Sequence, residues 1–202
     1  MVSSRRLVQE AHERFTVNLF LDNFNRCYHT DFKVIAEPNP PEAIIESKKS
    51  TRWVEVTDAC FSAEFATDIY SYATPGETHK PIRDGLLIGP DAQFAKNFVT
   101  VVKKKLEKSS YEPFRNEYGK GYLIVSIQYP LFGQDTLRYI RRAWDEIQIN
   151  DKNCFRSIYI AYRTFNVYKV SLWKPNVASK QANVDTVIHC KPFYTFPHQK
   201  AC

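Results

Sequence analysis

Apolar side chains recur at helical spacing over residues 4–25. Leu7, Val8, Ala11, Phe15 and Leu19 fall on one face, and Val17, Phe20, Leu21 and Phe24 add a second. Such spacing predicts a helix whose later turns are buried on more than one side. The period then changes. Three short stretches carry strand character, at 32–37, 43–47 and 52–57, the last reading Trp53-Val54-Glu55-Val56-Thr57. Asn39-Pro40-Pro41 separates the first from the second, and Lys48-Lys49-Ser50 turns the second into the third. Connections this short predict antiparallel neighbours.

Residues 58–73 fit neither period cleanly and read as an irregular helix. Residues 74–89 hold Pro75, Gly76, Pro81, Gly85 and Gly89 and read as an extended loop, a feature often tied to function. Pro90-Asp91 opens a helix running to about residue 109, and 122–128 is an apolar strand. Leu137, Ile140, Trp144 and Ile147 share one face of a helix over 136–147. A strand pair follows at 157–162 and 166–173. Beyond Pro175 there is little pattern apart from a strand at 186–189. The expectation is a single α/β domain over 1–202, with a core over 4–175 and a C-terminal extension over 176–202. Its mixed sheet is flanked by helices in the order α-β-β-β-α-β-α-β-β.

Composition supports one packed core. The chain has 202 residues and is 44% hydrophobic, enough to bury a substantial interior. Its 14% aromatic content argues against disorder. The net charge of +6, from 28 basic against 22 acidic residues, favours a polyanionic partner. Residues 1–10 lack the apolar centre of a signal peptide. The longest apolar runs, such as 123–127, fall far short of the roughly 20 residues of a membrane helix. No membrane association and a cytoplasmic location are therefore expected. Cys27, Cys60, Cys154, Cys190 and Cys202 form no CxxC pair and read as reduced thiols. His12, His29, His79, His189 and His198 show no metal-ligand spacing. The 85–89 segment lacks the lysine of a phosphate-binding loop, and no serine sits in a nucleophile elbow.

The chemistry concentrates on two carboxylates. Glu42 opens one apolar strand and Glu55 sits inside the next. Glu55 is flanked by Val54 and Val56, so it points to the face opposite theirs. A carboxylate there is costly to bury without a partner. Neighbouring strands lie about 4.8 Å apart, so the two side chains on one face would share a hard divalent cation. The ordinary alternative for each is the solvated face of an edge strand.

The pattern Pro41-Glu42, twelve residues, then Glu55-Val56-Thr57 resembles the PD-(D/E)xK, restriction-endonuclease-like nuclease superfamily. The stretch from Glu37 to Glu42 leading into Val54-Glu55-Val56-Thr57 looks like uncharacterised bacterial members of it. The element order over residues 10–173 is similar too. The resemblance implies hydrolysis of nucleic-acid phosphodiesters with Mg²⁺ (or Mn²⁺), with DNA favoured over RNA. It implies Glu42 and Glu55 as metal ligands with the Val56 carbonyl as a further one. It also implies a glutamate from the first helix at the catalytic site, Glu13 first and Glu10 second. A solvated helix face remains an equal reading for both.

Two departures stand out. Glu42 replaces the usual Asp and keeps the charge. Thr57 stands where the motif lysine belongs. On the helix after Pro90, Phe94, Phe98, Val101 and Val102 form the apolar stripe, and Lys105 falls within it while Lys103 and Lys104 do not. Lys105 either pairs with Glu42 or Glu55 as the substitute catalytic lysine or reaches outward to water. Gln93 and Lys96 lie off the stripe. Lys103-Lys104-Lys105 with Lys108, and Arg138 with Arg141 and Arg142, are candidate phosphate contacts, as are Lys48, Lys49 and Arg52. His79, Lys80 and Arg83 in the long loop are placed to cover a substrate. Each cluster reads equally as a solvated face. Three functions stay open: a metal-dependent nuclease, a non-catalytic nucleic-acid- or protein-binding module of the same fold, and a self-associating scaffold, a homodimer included.

Overall fold

The computed structural model describes residues 4–82, 88–148, 153–164, 167–174 and 177. The first helical spacing folds as α1, Ser4–Tyr28, but the stripe that packs is Thr16, Val17, Phe20, Leu21 and Phe24. Leu7 and Phe15 remain exposed, contrary to the apolar pattern. The reason is position: in the first half of the helix Arg5, Gln9 and Glu13 face a cleft rather than the core.

Three strands follow: β1, Lys33–Ala36; β2, Ala43–Ser47; and β3, Ser50–Cys60. They pair antiparallel in sequence order. β4, Gly121–Gln128, lies parallel to β3. β5, Phe155–Thr164, lies parallel to β4, and β6, Val167–Lys174, returns antiparallel. The six strands form one mixed sheet in the order β1-β2-β3-β4-β5-β6.

Parallel neighbours require crossovers, and the helices supply them. Between β3 and β4 run α2, Ala63–Ala73, α3, Pro90–Leu106, a 3-10 turn at Ser109–Tyr111, and α4, Glu112–Tyr118. Between β4 and β5 runs α5, Gln134–Asp145. The mixed α/β sheet is as expected, but the element order differs. α4 is an addition to the predicted order; α2, also absent from that order, falls within the 58–73 stretch read as an irregular helix. In the ambiguous 58–73 stretch the first residues extend β3, because β4 offers partners as far as Cys60 opposite Gln128. Ser62 then caps α2 by accepting the Phe65 N–H at 3.1 Å, a strong helix-start signal. The predicted strand at 186–189 and the 178–202 part of the extension lie outside the described residues, as does Arg83.

Strand alternation divides the interior. Trp53, Leu123, Val125 and Ile158 pack with Phe94, Phe98 and Val102 of α3 and Ile140 and Trp144 of α5. Val54, Val56, Ile124 and Tyr159 pack with Phe20 and Phe24 of α1 on the opposite face. Val101, expected in the buried stripe, is only half-buried and lines the cleft instead. Trp53 is fully buried and its indole N–H donates to the Gly119 carbonyl at 2.8 Å. The indole covers Gly121 so closely that a Cβ there would lie only 2.3 Å from the nearest ring carbon. Among the described residues no helix is long and apolar enough to cross a membrane. Cys60 and Cys154 are free thiols, as expected; Cys190 and Cys202 lie outside the described residues.

Candidate functional site

The β2–β3 register places Ala43 opposite Val54 and Ile44 opposite Trp53. One further step sets Glu42, just before β2, across from Glu55. Val54 and Val56 are committed to the α1 face, so Glu55 points toward α3. It is 1% exposed. Lys105, near the end of α3, donates from its ammonium to Glu55 Oε1. The Tyr111 hydroxyl donates to the same oxygen at 2.7 Å. The other oxygen, Oε2, is buried and accepts from no group among the described residues. The Lys105 ammonium also lies 3.5 Å from the Val56 carbonyl.

Glu42 is half-buried beside this pair. Its carboxyl is pushed up to about 8, first by burial, then by the charges of Glu55 and Glu13, against the opposing pull of Lys105; a hydrogen bond with Glu13 adds to the rise. Crowded carboxylates of this kind shift because they cannot all ionise together. Tyr111 is likewise pushed up, by burial and then by Glu55, so its hydroxyl keeps the proton that it donates to Glu55. Among the described residues no group of three or more His, Cys, Asp or Glu side chains forms a metal-holding set. The arrangement is therefore an open pair, Glu42 and Glu55, with Glu13 behind Glu42, rather than a closed cage. Mg²⁺ commonly takes only one or two carboxylates and completes its shell with water and phosphate oxygens.

Glu13 lies within the cluster; its Oε1 also accepts from Gln9 at 2.8 Å. Glu10 instead pairs with Arg6 at 2.8 Å. Gln93 and Lys96 are exposed, and Gln93 hydrogen-bonds Asn97 at 3.3 Å. Lys103 pairs with Glu107 at 3.7 Å and Arg138 with Asp135; Lys48 and Lys49 are exposed on the β2–β3 turn. Thr57 and Lys105 both line a cleft of about 610 Å³, together with Glu13, Glu42 and Glu55. Of the basic residues singled out in the sequence, Lys105 and Lys108 line it, and Arg5, not singled out, joins them.

A second polar node adjoins the cleft on the α1 face of the sheet. Asp58 Oδ1 lies 2.9 Å from His12 Nε2, and Oδ2 accepts the Tyr70 hydroxyl of α2. Ser126 Oγ is 3.2 Å from the same His12 nitrogen and accepts from Gln128 Nε2 at 2.9 Å. Burial alone would lower the His12 pKa, but the hydrogen bond and charge of Asp58, with help from Glu13, raise it. Burial would raise Asp58, and the same His12 contact, with Tyr70 and Ser126, lowers it. The node ties α1 and α2 to the carboxyl ends of β3 and β4. No ligand spacing in the sequence points to His12, and Tyr111 carries no motif; only the folded chain brings either to its partner.

No protein-family model matches the chain, and no curated protein or solved structure matches it either.

Proposed function

We propose that the protein is a metal-dependent phosphodiesterase with a restriction-endonuclease-like core, acting on nucleic acid with DNA favoured over RNA. The observation that carries the reading is Glu55 Oε2, buried without a partner among the described residues, beside a second carboxylate, Glu42, that burial first and then the charge of Glu55 keep from ionising. A buried acceptor left unsatisfied is costly. A divalent cation held by Glu42 and Glu55 would relieve both the missing contact and the carboxylate repulsion, so the residues present fit Mg²⁺ or Mn²⁺. The basic net charge of +6 and the placement of Arg5 and Lys108 in the cleft suit a phosphate-bearing substrate.

A bound Mg²⁺ would supply an activated water and offset charge on the phosphate. Glu42 and Glu55 would hold it, with the Val56 carbonyl within the same cleft. Glu13 steadies Glu42 through their hydrogen bond. Lys105, arriving from α3 rather than from the Thr57 position, would orient the attacking water with its ammonium.

Thr57 favours a second reading, a non-catalytic nucleic-acid- or protein-binding module of the same fold. Incubation with single- and double-stranded DNA and RNA, with Mg²⁺ or Mn²⁺, separates the two. Metal-dependent cleavage that disappears in Glu55→Ala supports the hydrolase. Salt-sensitive binding without cleavage supports the module.

A further inference from the structure

We propose that Tyr111 is a positioning residue that turns the Glu55 carboxylate so that Oε2 faces the cation site. The inference rests on the metal-dependent reading above and names a residue that the carboxylate motif does not contain.

Both donors to Glu55 converge on Oε1: the Lys105 ammonium and the Tyr111 hydroxyl at 2.7 Å. Oε2 has no donor among the described residues. A buried carboxylate that served only the fold would gain by spreading its two donors over both oxygens. Loading one oxygen and leaving the other bare fixes the plane of the group and reserves Oε2.

The two donors differ in freedom. Lys105 ends a flexible four-carbon stem and its side chain is 24% exposed, so it can leave Oε1 to meet a water or a phosphate. Tyr111 is 0% exposed. Its ring stacks on Trp53 at 5.5 Å, meets Phe155 edge-on at 5.2 Å, and carries the Lys108 ammonium 5.3 Å from its centroid. A ring held by these neighbours has one direction for its hydroxyl. Tyr111 therefore keeps Glu55 oriented whenever Lys105 moves. Partners behind a metal ligand typically contribute about 10- to 100-fold in affinity or activity.

The test is titration of the full-length chain with Mn²⁺ alone, followed by calorimetry, for wild type, Tyr111→Phe, Phe155→Leu and Glu55→Gln. Tyr111→Phe keeps the ring and its stacking and removes only the hydroxyl. Phe155→Leu disturbs the same ring without touching Glu55. The expected result is a Kd about 10- to 100-fold weaker in Tyr111→Phe. Phe155→Leu, which loosens the ring but keeps the hydroxyl, should lower the melting temperature and weaken the Kd less than Tyr111→Phe does, and Glu55→Gln should abolish binding. A wild-type Kd retained by Tyr111→Phe overturns the Tyr111 role while leaving the metal reading standing. A Kd weakened equally by Phe155→Leu assigns the effect to packing and also overturns it. A wild-type chain that binds no Mn²⁺ overturns the metal reading and this inference together.

Discussion

Lys105 and Glu55 stand 50 positions apart in the chain, and the ammonium of one meets the carboxylate of the other in the wall of the cleft. The helix α3 spends most of its buried face on Phe94, Phe98, Val102 and Leu106. Lys105 is the position in its last turn where that packing gives way to a charge, and the charge on β3 answers it.

Removing one partner should cost more than removing both. Lys105→Met leaves Glu55 buried with only Tyr111 as a donor. The expected loss is about 2 kcal/mol, below the roughly 3–5 kcal/mol of a wholly buried pair, because Lys105 retains 24% exposure and its charge is partly screened. Glu55→Gln in the same chain should recover a large part of it. Urea denaturation of both single variants and the double variant measures the coupling; strictly additive losses would show that the pair contributes nothing.

The crowded carboxylates should make metal-free stability fall with rising pH. Glu42 holds its proton to about pH 8 in the folded chain, against an ordinary value of 4.5. Between those values the folded state binds more protons than the unfolded one, so stability drops as pH rises through the window. Thermal melts from pH 5 to 8 should show this decline, and Mn²⁺ should flatten it. Glu42→Gln should flatten it without metal. An unchanged slope in that variant would remove Glu42 as its source.

The Asp58 node should act as a brace with a bounded pH range. His12 is raised above its ordinary 6.5, so its contribution is complete below 6.5 and fades as pH climbs through the higher folded value. Asp58 is lowered below its ordinary 3.8, so its contribution is complete above 3.8 and fades under acid. Asp58→Ala leaves the Tyr70 hydroxyl and the His12 ring without their acceptor and should cost about 2 kcal/mol. Hydrogen exchange should speed up in α2, which loses its tie to β3; unaltered exchange there would argue that α2 is held by its packing alone.

Gly121 tolerates no side chain. A Cβ there would lie 2.3 Å from the nearest Trp53 indole carbon, and the indole is locked by its bond to the Gly119 carbonyl and by Tyr111 and Phe155. Gly121→Ala should therefore destabilise by about 1–3 kcal/mol or more. Because Trp53 also backs Tyr111, Mn²⁺ affinity should weaken in the same variant. A melting temperature equal to wild type would contradict the close approach.

Much of this was legible in the sequence because local pattern and tertiary demand agree. The alternation around Glu55 gives both the strand and the face, and the apolar stripe of α3 marks Lys105 as the lysine that turns inward. The register that sets Glu42 beside Glu55 follows from the short Lys48-Lys49 turn. What stayed hidden depends on long-range geometry. α2 needs the Ser62 cap to be distinguished from the end of β3, and the seven-residue α4 is too short for periodicity to reveal. Leu7 and Phe15 keep helical spacing yet stay exposed, since no spacing rule says which half of a helix overhangs a cleft. Tyr111 reaches Glu55 only because a 3-10 turn after α3 folds it back beneath Trp53.

The most direct measurement of the two-carboxylate site is the loss of the free Mn²⁺ electron paramagnetic resonance signal on addition of protein. Wild type should remove Mn²⁺ from solution saturably, and Glu42→Gln and Glu55→Gln should each restore the free-ion signal while keeping a cooperative thermal transition. Equal uptake by wild type and both folded variants, or none by wild type, would contradict a cation held between Glu42 and Glu55.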